Sequence, residues 1–288
     1  MCGLGSAAAW SVQVDEKGCM IPSDLERLIQ LAKSQNKTPL FVNATAGTTV
    51  LGSYDPFPQL SEICKKYNLW LHIDGSWGGP VIFSPTHASK MHGSELADSI
   101  AVNPHKMLGT PLTCSFLLGP DLRKFHAANT LPAGYLFHNS DDANAEVWDL
   151  ADLTLQCGRR GDSLKLALGW IYYGQAGYAA QIDHAFDMAK YMCDLLSGKE
   201  GFILVSENPP PCLQVCFYYV GKEGLSGDKV VNTKRTREIV ERLVARGFMV
   251  DYSPGERGSF FRVVVNVQTR RGTVEGLVKA VVEVGEEV

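Results

Sequence analysis

The chain has 288 residues, is 45% apolar and 20% charged, and carries a formal net charge of −4 without a long block of one sign. That length allows one large domain or two of moderate size, and that charge pattern argues against nucleic acid or an anionic membrane as the main partner. Its apolar stretches are of strand length, so no transmembrane helix is expected.

The segment from Met1 to Trp10 lacks a basic start and a long apolar core, and does not read as a signal peptide. Pro22, Ser23 and Asp24 then open a helix, because proline suits the first turn and an acid there meets the helix dipole. Leu25, Leu28, Ile29 and Ala32 recur at helical spacing and form one apolar face. Residues 39–44 read as a short buried strand that ends in the small-residue turn 45–49. A second helix is expected over 56–67, with Leu60, Ile63 and Cys64 inward. Strands follow at 69–74, closed by Gly75, Ser76, Trp77, Gly78 and Gly79, then at 98–102 and 113–118. Strands alternating with helices predict a mainly parallel sheet covered on both faces, with ligands beyond the carboxyl ends of the strands.

A long polar loop, of the kind that often forms a lid, is expected over 132–152. Helices at 164–173 and 178–196 are separated by Gly174 and Gly177. The remainder reads as a smaller α+β domain, with strands at 213–220 and 260–266 and helices around Ile239–Val244 and Val274–Val284. The division is 1–175 and 176–288. The eight cysteines are scattered through apolar segments, which suits reduced thiols. Cys212 and Cys216 share one strand face, and no metal site is expected there.

Chemistry concentrates where strands end. Lys106 follows Asn103, Pro104 and His105, just past a strand, and Asp74 ends another. A lysine amine can bond the aldehyde of pyridoxal 5'-phosphate, while a carboxylate pairs with the pyridinium nitrogen and keeps the ring able to accept electrons. Desolvation and neighbouring positive groups would lower the lysine pKa, as that bond requires. Asn103 can donate to a phosphate oxygen, Thr48 and Thr49 offer hydroxyls near the ring, and Gly75 and Ser76 let the backbone approach a flat cofactor. Taken singly, such an Asp is a turn or cap residue, the lysine a solvated charge and His72 a core histidine. The ordered set, each member at a strand end, favours the cofactor site.

The runs 43–49, 69–79, 103–106 and 156–160 resemble the group II pyridoxal phosphate-dependent decarboxylases. Trp77, Gly78 and Gly79, together with Phe260, Phe261 and Arg262, are similar to the branch acting on acidic amino acids (glutamate decarboxylase, cysteine sulfinate decarboxylase). The resemblance implies a fold-type I transferase-like α/β architecture: a cofactor-binding large domain over 1–175 and a small α+β domain over 176–288. It implies Lys106, Asp74 and His105 as catalytic residues. Lys106, Asp74, Ser76, Thr49, Asn103 and His105 become cofactor contacts, and Arg262 the group that binds the substrate α-carboxylate. The implied reaction decarboxylates glutamate, aspartate or cysteine sulfinate in a cytoplasmic homodimer.

The chain departs from the family pattern at three places. The family carries a preceding segment with a ring-stacking histidine, phosphate contacts and much of the dimer interface, whereas no His precedes His72 here. The family's catalytic loop holds a tyrosine, and none lies between Phe137 and Gln156. Gly75 and Ser76 stand where the family commonly has two alanines. Two further readings stay open on these grounds: an enzyme giving aldehyde or transamination products, and a shortened chain without catalysis.

Overall fold

A computed structural model describes residues 3–130, 150–156 and 158–288. The loop expected over 132–152 falls, up to residue 149, outside the described residues, as does Cys157.

The first unit contains α1 (Pro22–Ser34), β1 (Phe41–Thr45), α2 (Phe57–Tyr67), β2 (Trp70–Gly75), β3 (Ser99–Val102), the single turn α3 (Pro104–Met107), β4 (Phe116–Leu118) and α4 (Leu122–Asn129). Its sheet runs β1-β2-β3-β4. The first three strands are parallel, in the register Thr45–Asp74–Ala101, and β4 returns antiparallel to β3. Alternation sends Val42, Ala44, Leu71 and Ile73 into a core closed by Leu25 and Ile29 of α1 and by Phe57, Leu60 and Cys64 of α2. The opposite face carries Phe41, Trp70, His72 and Asp74. The strand expected to be buried is therefore half-buried: only one of its faces meets the core, and Phe41 on the other is 54% exposed.

The second unit contains α5 (Ser163–Ser197), β5 (Phe202–Leu204), β6 (Gln214–Tyr219), α6 (Lys229–Ala245), β7 (Asp251–Ser253), β8 (Phe260–Val264) and α7 (Arg271–Gly285). Its sheet, β5-β6-β8-β7, is antiparallel throughout. Strand β6 is buried along its whole length because both of its faces are covered. Val215 and Phe217 pack among Met192, Leu196, Leu243 and Val281, while Cys216 and Tyr218 face a cluster that includes Val50 of the first unit. Phe217 stacks on Phe261 at 5.0 Å. Each such ring contributes about 1.5–3 kcal/mol through burial.

The two helices expected at 164–173 and 178–196 form one element broken at Gly174, whose φ of 63° lies in the left-handed region. Beyond the break, Tyr178, Ile182, Ala185 and Phe186 join the first core, and Ala189, Met192, Cys193 and Leu196 join the second. Residue 176 thus lies inside a helix that serves both units. Strands β5 and β7 and helix α4 were not expected from the sequence. Each is short, with too few residues to show a period.

Candidate functional site

The candidate site forms where the carboxyl ends of β1 and β2 and the turn after β3 meet β8. At the end of β2, the Asp74 carboxylate accepts the Ser76 N–H at 3.0 Å, which folds the chain sharply away from the strand. Beneath it on the same face, the Trp70 indole N–H donates to Ser99 Oγ at 2.8 Å, and His72 Nδ1 lies 2.8 Å from the same oxygen. An indole only donates, so the serine proton is free to go to His72 Nδ1, which leaves the neutral ring protonated at Nε2. Burial holds the His72 pKa below its ordinary value, and the Asp74 charge opposes that shift.

Lys106 lies in α3, its N–H bonded to the Asn103 carbonyl at 2.9 Å. Its Nζ sits 5.2 Å from the Trp77 ring centroid. Burial pushes its pKa below that of an ordinary lysine, Asp74 raises it, and Arg262 adds to the lowering. Two sequence-predicted residues from distant parts of the chain, Asp74 and Arg262, are thus within electrostatic range of Lys106.

His105 turns Nδ1 toward the backbone of Cys114, 2.7 Å from its carbonyl oxygen and 3.1 Å from its amide nitrogen, tying α3 to the segment before β4. Asn103 stands at the N-cap of α3 without a side-chain cap bond. At Thr49 the observed contact is through the carbonyl, which accepts Arg262 Nε–H at 2.5 Å. The Thr48 hydroxyl accepts the Ser53 N–H at 2.9 Å, so it braces its own turn. Arg262 is 12% exposed, and its Nη1 lies 3.8 Å from the Asp251 carboxylate.

The turn 46–54 is wedged between the two sheets. Gly78 donates its N–H to the Ala46 carbonyl at 2.9 Å, and a Cβ at Gly78 would fall on the Tyr54 hydroxyl. On the other side, Cys216 Sγ reaches the Val50 carbonyl at 3.1 Å. Sequence reasoning assigned no role to Trp77, although it stands within the 69–79 run. It missed Asp251, whose strand is three residues long.

A half-buried amine of lowered pKa, a strand-end carboxylate and a partly shielded guanidinium suit a ligand with an aldehyde, a basic ring nitrogen and an attached acid. The donor set therefore fits pyridoxal phosphate.

The family model described as the pyridoxal-dependent decarboxylase conserved domain matches residues 3–220. L-aspartate decarboxylase dtxS4 of Metarhizium robertsii is 54% identical over 287 residues, which cover 100% of this chain and 57% of that protein. Cysteine sulfinic acid decarboxylase of Homo sapiens is 41% identical over 274 residues, covering 91% of this chain and 54% of the human protein. The crystal structure of mouse CSAD superposes with a TM-score of 0.89 at 37% identity, over 99% of this chain and 60% of that one. The chain thus spans little more than half the length of the curated relatives it matches.

Proposed function

The chain belongs to the pyridoxal-dependent decarboxylase family, and from that premise we propose that it removes carbon dioxide from a small acidic amino acid, L-aspartate first among the candidates. The similarity to a relative named for L-aspartate, and to one named for cysteine sulfinic acid, supports the substrate class. The observation that carries the reading is the place of the Lys106 amine, in the turn after β3 with Nζ 5.2 Å from the Trp77 ring centroid, where the charges of Asp74 and Arg262 both act on it.

When bound, pyridoxal phosphate supplies an electron-poor ring that takes up the electron pair left by departing carbon dioxide. Lys106 offers the amine that bonds the aldehyde; burial enlarges the neutral, nucleophilic fraction near neutral pH. Asp74 would hold the ring nitrogen of the bound cofactor, where a carboxylate would favour a proton. Arg262 binds the α-carboxylate, its guanidinium plane anchored through Nε on Thr49. Asn103, His105, Ser76 and Thr49 complete the proposed cofactor contacts. We take two domains, 1–175 and 176–288, as the framework of this site, with α5 running across the boundary between them.

The chain is further proposed to act in the cytoplasm as a homodimer. The first half of α5 supports pairing, since Leu164, Leu168, Ile171 and Tyr172 are all exposed on it. Among the described residues, no helix is long and apolar enough to cross a membrane.

The test adds pyridoxal phosphate to the full chain, reduces it with borohydride, and maps the modified residue by mass spectrometry. An absorbance band near about 420 nm is expected, with the label on Lys106 and release of carbon dioxide from carboxyl-labelled L-aspartate. Labelling elsewhere, or no labelled gas from any acidic amino acid, would defeat the reading. Aldehyde and ammonia in place of the amine would redirect it to the aldehyde-forming alternative.

A further inference from the structure

Arg262 has five N–H donors in one plane, and its neighbours engage them unequally. Nε–H goes to the Thr49 carbonyl at 2.5 Å. Nη1 stands 3.8 Å from the Asp251 carboxylate, beyond hydrogen-bond reach, so only Coulomb attraction acts between them. The two residues are direct register partners across β7 and β8. The Arg262 side chain is 12% exposed and that of Asp251 70%.

We propose that Asp251 tunes the specificity of the carboxylate site: its charge weakens the hold of Arg262 on an incoming acid, and weakens it more for a doubly anionic ligand than for a singly anionic one. The inference rests on the reading of Arg262 as the substrate-carboxylate group.

Asp251 could also act in the opposite sense, by orienting the guanidinium and so improving binding. The geometry decides between the two. The short, charge-assisted bond from Nε to a backbone carbonyl already sets the guanidinium plane, whereas an ion pair at 3.8 Å with an exposed partner orients little. A carboxylate docking on the remaining Nη donors would share one guanidinium with Asp251, whose nearest oxygen lies 3.8 Å from Nη1. The repulsion therefore acts on the ligand, and it grows with ligand charge. Sequence reading offered no hint of this, because register alone places the aspartate opposite the arginine.

The test is a calorimetric titration of the full chain with succinate and with acetate, in the parent, Asp251→Asn and Arg262→Met, at low and high ionic strength. Asp251→Asn should tighten succinate binding about two- to five-fold at low salt, with a smaller gain for acetate. The gain should fade at high salt, where the screening length shrinks to a few ångströms. Unchanged or weaker succinate binding in Asp251→Asn overturns the proposal, as does a gain that is equal for the two acids or indifferent to salt. If Arg262→Met abolishes succinate binding while Asp251→Asn changes nothing, only the tuning role falls. If the parent does not bind succinate, or Arg262→Met binds it as the parent does, the assignment of Arg262 falls as well.

Discussion

Arg262 on β8 donates Nε–H to the carbonyl of Thr49, 213 positions earlier in the chain, at 2.5 Å. This bond orients the guanidinium and, together with the contact of Cys216 on Val50, docks the second sheet against a turn of the first. Lysine at 262 would keep the charge but lose the planar fork and the anchored Nε. Arg262→Lys should weaken binding of an acidic ligand about ten-fold or more, the scale of one lost charge-assisted bond. Titration of the full chain with succinate checks this, and unaltered affinity would show that the anchor contributes nothing to binding.

Gly52 has φ +73°, and a Cβ there would stand 2.7 Å from Cys212 Cβ. Gly52→Ala therefore combines left-handed strain with overpacking against the segment that leads into β6. A loss of about 2–4 kcal/mol is expected, read as a lower urea midpoint with an unchanged slope. The same substitution at Gly272, where nothing lies within 4 Å of the added atom, is the control and should cost nothing.

Lys106 should react with amine reagents at lower pH than an ordinary lysine, because burial disfavours its charged form. Asp74 raises its pKa and Arg262 lowers it, so two substitutions should move the reactivity in opposite directions. Asp74→Asn should shift the onset of labelling to lower pH, and Arg262→Met to higher pH. Quantitative mass spectrometry of cofactor-free chain acylated across a pH series distinguishes the two. Shifts of the same sign would contradict the electrostatic picture.

Burial holds the His72 pKa below the ordinary histidine value of about 6.5. The unfolded chain then binds the proton more readily than the folded chain, so stability rises with pH through the window just under that value. It is fully present above the unfolded pKa and is lost as pH falls toward the folded one. His87 is shifted in the same direction, also mainly by burial, so His72→Gln should reduce the acid-side slope without abolishing it. Urea midpoints between about pH 5 and pH 7.5 measure that slope. A slope identical to the parent's would show that His72 does not carry the linkage.

Much of the first unit was legible because its signals are local. Helical spacing at Leu25, Leu28, Ile29 and Ala32 fell within α1 (Pro22–Ser34), and the apolar run ending in Asp74 became β2. Elements of three residues, such as β5 and β7, carry no period to detect. Gly174 was readable as an interruption, but not as a kink within one helix serving two cores.

The sequence by itself determined the alternating elements, the place of Asp74 at a strand end and of Lys106 just past one, and the likeness to one decarboxylase family, because periodicity and motif spacing are properties of neighbouring residues. Only the tertiary structure decided that β4 runs antiparallel to β3, that Arg262 reaches Thr49, and that Asp251 stands opposite that arginine. Those relations depend on sheet register and on the docking of two sheets, and both are set by burial summed over residues far apart in the chain.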